Sequence, residues 1–193
     1  IFDIGGNIGI TSIYLATIFP KALIYSFEPL KENFEILQKN TSQFNNIKAF
    51  NVGLGAKNGS FKVYLSGDNE NYGGVSFYAE IEGNLSKSFT ECKVKNINDV
   101  IKQLDINCID LIKIDTEGAE FDILTNLETE LLYKTSWITG ELHGNRDFEL
   151  LNYLYNLGFF ISLNKNIDNR VFMFSAGKQE VISKLSRKEI KIL

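Results

Sequence analysis

The sequence contains few of the residues that build disulfide-bonded or zinc-bound proteins. Only two cysteines, Cys92 and Cys108, and one histidine, His143, occur in 193 residues. The cysteines form no CxxC pair, and no second histidine is present to complete four zinc ligands. A disulfide scaffold and a zinc ribbon are therefore disfavoured. Because so few cysteines are typical of a reducing compartment, we predict a cytoplasmic location.

The sequence also lacks a surplus of positive charge and a long hydrophobic run. Lysine and arginine number 20 against 24 aspartate and glutamate residues, which gives a net charge of −4. A nucleic-acid partner is disfavoured, because nucleic-acid-binding domains concentrate positive charge. No run of about 18 apolar residues could span a membrane, and the first residues do not resemble a signal peptide. We expect no nucleic-acid partner and no stable membrane insertion, and the oligomeric state is left open.

What the sequence does contain is an alternation of short apolar runs and helical patterns. The predicted strands cover 1–4, 23–27, 47–52, 109–115, 137–142, 159–163 and 170–175. Such alternation requires right-handed crossovers, so it predicts an α/β fold with a mostly parallel seven-stranded sheet and helices on both faces. The last two strands are separated by few residues and should be antiparallel. Since Ile1 and Phe2 resemble the inside of a buried strand, we expect the sequence to begin within a domain.

Apolar spacing predicts the buried faces of the helices, and a change of pattern predicts an insertion. The expected faces are Ile10, Ile13, Tyr14 and 16–18; Leu30, Phe34 and Leu37; Phe121, Leu124, Leu127 and Leu131; and Phe148, Leu151, Leu154 and Tyr155 before a capping Gly158. Glycines and period-2 stretches predict an antiparallel β insertion over 60–97. The aromatic residues Tyr64, Tyr72, Phe77 and Tyr78 would line a sugar groove or the buried side of a hairpin. We expect a single domain over 1–193.

The first predicted strand leads into a glycine-rich turn that differs from the common nucleotide-binding patterns. Asn7 and Ile10 occupy the places where the second and third glycines of GxGxxG belong, and no Lys-Ser/Thr pair follows. The remaining pattern, DxGxNxG, is formed by Asp3, Gly5, Asn7 and Gly9. In it an acidic side chain would face outward while bare backbone lets a ligand approach. Tight packing of the strand against the helix is the alternative explanation.

A carboxylate at the end of the second strand adds to this pattern. Glu28 follows Gly9 by 19 residues, at the place where a carboxylate can accept hydrogen bonds from the ribose hydroxyls of a nucleotide. The turn and Glu28 together favour a ligand that contains a nucleoside.

Three segments resemble the FkbM family of S-adenosylmethionine-dependent methyltransferases. They are Asp3-Ile4-Gly5-Gly6-Asn7-Ile8-Gly9, then Phe27-Glu28-Pro29 with Asn33 and Phe34, and Lys113-Ile114-Asp115-Thr116-Glu117-Gly118-Ala119-Glu120. The resemblance extends from Ile1 to about Phe174. It implies a Rossmann-like class I methyltransferase fold, with strand order 3-2-1-4-5-7-6 and S-adenosylmethionine as cofactor.

The resemblance also implies roles for individual residues. Asp3, Gly5, Asn7 and Gly9 would line the methionine and ribose part of the cofactor, Glu28 would hold the ribose, and Asp115 would border it. The sequence departs from the family pattern at Gly55-Ala56, where a polar and acidic pair is usual near the adenine. The adenine contacts are therefore left unassigned.

A second group of polar residues follows two later strands. Asp115, Glu117 and Glu120 follow one strand, and Glu141 and His143 end the next. Carboxyl ends of neighbouring parallel strands meet at one edge of the sheet, so these residues should lie together beside the glycine turn. Glu117 and Glu120 have a second interpretation, since acidic residues also stabilise the N-terminus of a helix.

This group suits transfer of a methyl group to a hydroxyl. His143 is the candidate base because the unperturbed histidine pKa lies near neutrality, and a carboxylate such as Asp115 or Glu141 could fix its tautomer. Alternatively Asp115, Glu117 and His143 could bind a divalent metal that orients the acceptor. We predict O-methylation of a sugar, glycan or other small molecule. The alternatives are a non-catalytic nucleoside-binding module and, against the failed GxGxxG pattern, a nucleotide-dependent oxidoreductase.

Overall fold

Eleven strands and seven helices form the described part of the chain. The computed structural model describes residues 1–65, 75–76, 89–165 and 172–184. The strands are β1 (Phe2–Ile4), β2 (Ile24–Phe27), β3 (Ile47–Phe50), β4 (Gly53–Gly55), β5 (Gly59–Leu65), β6 (Val75–Ser76), β7 (Phe89–Asn96), β8 (Leu111–Ile114), β9 (Trp137–Leu142), β10 (Phe159–Lys165) and β11 (Phe172–Lys178). The helices are α1 (Ile10–Ile18), α2 (Lys31–Thr41), α3 (Ile97–Gln103), α4 (Glu120–Asn126), α5 (Thr129–Lys134), α6 (Asp147–Asn156) and α7 (Gln179–Ile182).

Seven of these strands form the main sheet, in the order β3-β2-β1-β8-β9-β11-β10. The pairs β3/β2, β2/β1, β1/β8 and β8/β9 are parallel, whereas β11 is antiparallel to both β9 and β10. Counted along the chain within this sheet, the order is 3-2-1-4-5-7-6. The predicted strand order, the mostly parallel sheet and the antiparallel last pair are all confirmed.

The core lies against the middle of this sheet. Every residue of β1 and β2 is buried, as expected for central parallel strands. On one face the rings of Phe2 and Phe27 lie 5.3 Å apart, and those of Phe27 and Phe50 lie 5.2 Å apart. Buried isoleucines and leucines of β8, β9, α4 and α6 continue this cluster. The packed sheet fixes the carboxyl ends of its strands, where the predicted site residues lie.

The buried face of α1 differs from the prediction. Of the predicted positions Ala16 is buried, but Ile10, Tyr14 and Ile18 are exposed, and the helix buries Ser12 and Leu15 instead. The reason is a polar contact, because the Ser12 hydroxyl donates a 2.5 Å hydrogen bond to the buried Asp3 carboxylate. That bond turns the serine face of the helix toward the sheet, which apolar spacing does not indicate.

The predicted buried face of α6 also needs correction. In α6, Leu150, Leu151 and Leu154 are buried, but Phe148 is 75% exposed and Tyr155 is 67% exposed. The predicted capping glycine, Gly158, does adopt a left-handed φ of 81°.

The single helix expected to carry Phe121 to Leu131 is divided into α4 and α5. The side chain of Asn98 stabilises the break, because it donates to the Asn126 carbonyl at 2.7 Å and accepts from the Glu128 N–H at 2.9 Å. These bonds satisfy backbone groups that a continuous helix would have paired internally.

The smaller sheet has the order β4-β7-β5-β6 and coincides only partly with the predicted insertion. The pairs β5/β7 and β5/β6 within the predicted range are antiparallel, whereas β4, which precedes that range, pairs with β7 in parallel. The sheet also begins at Gly53, before the predicted boundary. Tyr72, Phe77 and Tyr78 of the suggested sugar groove lie outside the described residues.

Among the helices in the described ranges, none combines the length and the apolar composition needed to cross a membrane.

Candidate functional site

The glycine turn between β1 and α1 is held against the end of β2. The N–H groups of Gly5 and Gly6 both donate to the Phe27 carbonyl, at 3.0 and 2.9 Å. Gly5, Asn7 and Gly9 have positive φ angles of 80°, 46° and 90°. Left-handed backbone is readily adopted by glycine and tolerated by asparagine, which explains these residue types. Asn7 is the exposed residue of the three.

Two of the glycines are required by packing. A Cβ at Gly5 would collide with the carbonyl oxygen of Asp115, and a Cβ at Gly9 would lie 3.2 Å from Thr41 Cγ2 and 3.3 Å from Leu37 Cγ. These two positions fit the alternative of tight packing between the turn and its neighbours. A ligand would therefore contact the turn on the side that Asn7 exposes.

Asp3 does not face outward, so that sequence expectation is wrong. Its side chain is 0% exposed, and its carboxylate accepts from Ser12 Oγ at 2.5 Å and from Ser26 Oγ at 3.5 Å. Burial raises the pKa of Asp3, and the nearby Lys113 charge opposes that rise. Asp3 supports the turn from below.

Lys113 is a functional candidate that sequence reasoning missed. Its ammonium donates to the Gly5 carbonyl at 2.6 Å and lies 3.5 Å from Asp3 Oδ1 and 3.7 Å from Asp115 Oδ2. It thereby connects the glycine turn to the end of β8. The available signal was spacing, since Lys113 and Asp115 are two residues apart on a strand and therefore share a face.

Glu28 follows β2, with one carboxylate oxygen bound to the glycine turn and the other to the backbone just before α2. Oε2 accepts from the Asn7 N–H at 2.8 Å, and Oε1 accepts from the Leu30 N–H at 2.9 Å. Burial raises the pKa of Glu28, while these two backbone bonds oppose the rise. The bond from the Asn7 N–H therefore brings Glu28 into direct contact with the turn.

The second predicted group also meets in space, at the ends of the neighbouring strands β8 and β9. His143 Nε2 lies 3.3 Å from Glu141 Oε2 and 3.6 Å from Glu117 Oε2, and Nδ1 lies 3.4 Å from Glu120 Oε1. Asp115, Glu117 and His143 each present a ligand atom within 4.8 Å of the others. We call the set Asp115, Glu117, Glu120, Glu141 and His143 the acidic rim.

The acidic rim changes the protonation of its histidine. Burial alone would lower the pKa of His143, but the hydrogen bond with Glu120 and the charges of Glu117, Glu120 and Asp115 outweigh it and raise the pKa to about 9. Burial raises the pKa of Glu117. For Glu120 burial acts in the same direction, yet the bonds from His143 and from backbone N–H groups leave its pKa lowered. At neutral pH His143 is therefore an imidazolium, not the neutral base that its unperturbed pKa suggested.

Comparison with known proteins gives a consistent result. The family model described as the Methyltransferase FkbM domain matches residues 3–174. A Beauveria bassiana protein named Methyltransferase 1 is 30% identical over 148 residues, covering 67% of this chain and 59% of that protein. The 2-O-methyltransferase NoeI of Sinorhizobium fredii is 24% identical over 159 residues, covering 77% of this chain and 65% of that protein. This chain thus spans less than two thirds of the length of either relative.

Solved structures share the fold. The structure of a methyltransferase FkbM from Methylobacillus flagellatus aligns with a TM-score of 0.63 at 18% identity, covering 91% of this chain and 42% of that one. TrmK of M. capricolum, solved in complex with S-adenosylhomocysteine, aligns with a TM-score of 0.55 at 16% identity, covering 92% and 61%. The expected class I methyltransferase-like fold is confirmed.

Proposed function

Because the chain belongs to the FkbM methyltransferase domain family, we propose that it uses S-adenosylmethionine to methylate a hydroxyl of a sugar, glycan or other small molecule. The observation that carries this proposal is the acidic rim, which adjoins the turn and Glu28 through Asp115 and Lys113. The name of the relative NoeI, a 2-O-methyltransferase, supports oxygen as the atom that is methylated.

The residues around the turn fit this cofactor. A carboxylate offers about four acceptor positions, and the Asn7 and Leu30 N–H groups occupy one on each oxygen of Glu28. The Asn33 side chain is a further hydrogen-bond partner of this carboxylate, and we propose that the remaining acceptor capacity serves the ribose hydroxyls. Asn7 borders the same space, and Gly5 and Gly9 shape the backbone beneath it. Since Asp3 is buried below the turn, we assign it a supporting role.

The rim would position the acceptor and remove its proton. When bound, S-adenosylmethionine supplies an electrophilic methyl group on a positively charged sulfur. The rim residues need to hold the acceptor hydroxyl in line with that methyl, and such alignment can contribute roughly 7 to 11 kcal/mol. His143 is the proposed base, with Glu141 beside its Nε2. The positively charged sulfur of bound S-adenosylmethionine would disfavour the imidazolium form of His143. The pKa of His143 would then fall toward the range in which the ring accepts a proton.

Removal of His143 should therefore affect turnover more than cofactor binding. With any hydroxyl acceptor that supports turnover, we expect His143→Ala to lower the rate by about 10² to 10⁴. Its affinity for S-adenosylhomocysteine should stay near that of the parent. A variant that loses both equally would contradict the assignment of His143 as the base.

A divalent cation is a second way in which the rim could act. The ligand atoms of Asp115, Glu117 and His143 lie within 4.8 Å of one another, which suits a hard cation that would hold acceptor oxygens. Chelation with EDTA decides between the two modes. Loss of activity that Mg²⁺ or Mn²⁺ restores would support the cation, whereas unchanged activity would support direct proton removal by His143.

Calorimetry with three ligands tests the proposed cofactor. S-adenosylmethionine and S-adenosylhomocysteine should bind the chain, and NADH should not. Binding of NADH alone would support an oxidoreductase. Binding of S-adenosylmethionine without turnover of any hydroxyl acceptor would support a non-catalytic nucleoside-binding module.

A further inference from the structure

We propose that Glu120 is the positioning residue of the acidic rim, which fixes the ring of His143 and the backbone of residues 116–118 with one buried carboxylate. This inference rests on the proposed function, in which His143 removes the proton of the acceptor. Sequence reasoning left open whether Glu120 only stabilises the N-terminus of a helix, and its contacts now distinguish the two roles.

One carboxylate oxygen of Glu120 accepts hydrogen bonds from several donors. Its Oε1 accepts from the Thr116 N–H at 2.9 Å, from the Thr116 hydroxyl at 3.0 Å and from the Gly118 N–H at 3.2 Å. The same oxygen lies 3.4 Å from His143 Nδ1. One side chain therefore connects the loop that follows β8 with the residue that follows β9.

The loop that Glu120 holds has an unusual backbone. Glu117 has a φ of 56° and Gly118 a φ of 117°, and both lie between the strand end and the first residue of α4. A positive φ at a glutamate is costly and persists only where surrounding contacts enforce it. The bonds from Thr116 and Gly118 to Glu120 supply such contacts. They hold Glu117 in the position from which its carboxylate reaches His143.

Burial separates Glu120 from an ordinary helix-terminal acid. Its side chain is 1% exposed, whereas Asp122 in the same first turn of α4 is exposed to solvent. A carboxylate stabilises a helix N-terminus without being buried, and burying it costs free energy unless specific partners compensate. The interactions with His143 and with the loop provide such partners for Oε1, whereas the buried Oε2 has no hydrogen-bond partner among the described residues.

The contact with Glu120 also determines which nitrogen of His143 is available. If Nδ1 donates its proton to Glu120, the neutral ring carries its lone pair on Nε2, on the side of Glu117 and Glu141. Carboxylates orient histidine rings in this way at many metal and catalytic sites. Glu120 therefore favours a proton on Nδ1 and a free Nε2, in competition with Glu117 and Glu141, which favour a proton on Nε2.

Nuclear magnetic resonance of the imidazole nitrogens tests this directly, because the chain has a single histidine. At a pH about one unit above the His143 pKa, a measurable fraction of the parent should carry the proton on Nδ1, which the Glu120 contact favours. Glu120→Ala should shift the ring to the tautomer with the proton on Nε2, because only that nitrogen then faces carboxylates. The control Asp122→Asn removes a charge from the same turn and should leave the parent tautomer unchanged.

A second variant keeps the proposal testable if Glu120→Ala fails to fold. Glu120→Gln retains an acceptor oxygen for the Thr116 and Gly118 N–H groups but removes the charge. We expect it to lower the midpoint of the His143 titration by about one pH unit more than Asp122→Asn does. An unchanged tautomer in a folded Glu120→Ala, or equal midpoints in Glu120→Gln and Asp122→Asn, would overturn the proposal. Neither measurement uses cofactor or acceptor, so failure of the proposed function would be seen separately.

Discussion

At the scale of single residues, the site depends on carboxylates whose hydrogen-bond partners can be named one by one. Glu28→Gln keeps the shape of the side chain but replaces one acceptor oxygen with a donor group. We expect it to weaken binding of S-adenosylhomocysteine by about 1.5 to 3 kcal/mol, the range for hydrogen bonds to a charged group. Calorimetry measures this directly. Glu32→Gln, an exposed change on the adjacent helix, serves as the control and should bind like the parent.

Equal affinity of Glu28→Gln and the parent would exclude Glu28 as the residue that holds the ribose. Loss of the folded circular dichroism signal would instead indicate that its bonds to Asn7 and Leu30 dominate.

His143 should also make stability depend on pH. Its pKa is about 9 in the folded chain and near 6.5 when unfolded, so the folded state binds the extra proton between these values. The stabilising contribution is complete below about pH 6.5 and is lost as the pH rises through about 9. We expect a loss of about 3 kcal/mol from this group across that interval.

Urea unfolding of the parent and of His143→Gln between pH 6 and 10 measures this contribution. The difference in unfolding free energy between the two proteins should shrink as the pH rises. A difference that stays constant would show that the acidic rim does not hold a proton on His143.

At the scale of helices and strands, the exposed and buried positions of α6 give a matched pair of variants. Leu150→Ala removes a fully buried side chain and should lower the free energy of unfolding by about 2 to 5 kcal/mol. Phe148→Ser removes a side chain that is 75% exposed and should change it by less than about 0.5 kcal/mol. Urea denaturation measures both, and a larger effect at Phe148 would contradict the packing described for this helix.

The packing of α2 against the glycine turn limits which residues can replace Gly9. A valine there would require a positive φ and would press on Thr41 and Leu37 of α2. From the sequence, Gly9 belongs to a turn whose bare backbone would let a ligand approach. The structure instead predicts a lower free energy of unfolding for this variant, measurable by thermal denaturation with Asn7→Ala as the exposed control. Unchanged stability of Gly9→Val would contradict the packing of the turn.

The same scale shows what the sequence could predict. Ile112 and Ile114 mark β8 because they are buried side by side on one face of a short run with high strand propensity. The buried face of α1 was missed because the partner of Ser12, Asp3, lies on another element. The break between α4 and α5 was missed for the same reason, since Asn98 stabilises it from α3. The proximity of Asp115 and His143 was predictable because their strands end at one edge of the sheet. The contact between Glu120 and His143 could be found only in the three-dimensional structure.

At the scale of the whole molecule, several predictions still depend on the sequence alone. The cytoplasmic location rests on the scarcity of cysteine, and the exclusion of a nucleic-acid acceptor rests on the net charge of −4. A single domain over 1–193 likewise stays a prediction.

Ligand binding should stabilise the whole molecule. At a concentration of S-adenosylhomocysteine equal to 100 times its Kd, the free energy of unfolding should rise by about 2.7 kcal/mol. Thermal denaturation detects this as a higher Tm, and NADH at the same concentration is the control. Equal Tm shifts with both ligands would argue against a specific methyltransferase cofactor.

The most direct test of the account is a crystal structure of the chain with S-adenosylhomocysteine bound. We predict that the ribose lies against Glu28, that Asn7 borders the ligand, and that His143 Nε2 lies near the position of the transferred methyl group. A base must reach its proton directly or through one water molecule, so the ring has to be close to that position. A structure that places His143 more than about 10 Å from the sulfur would contradict the proposed chemistry of the acidic rim.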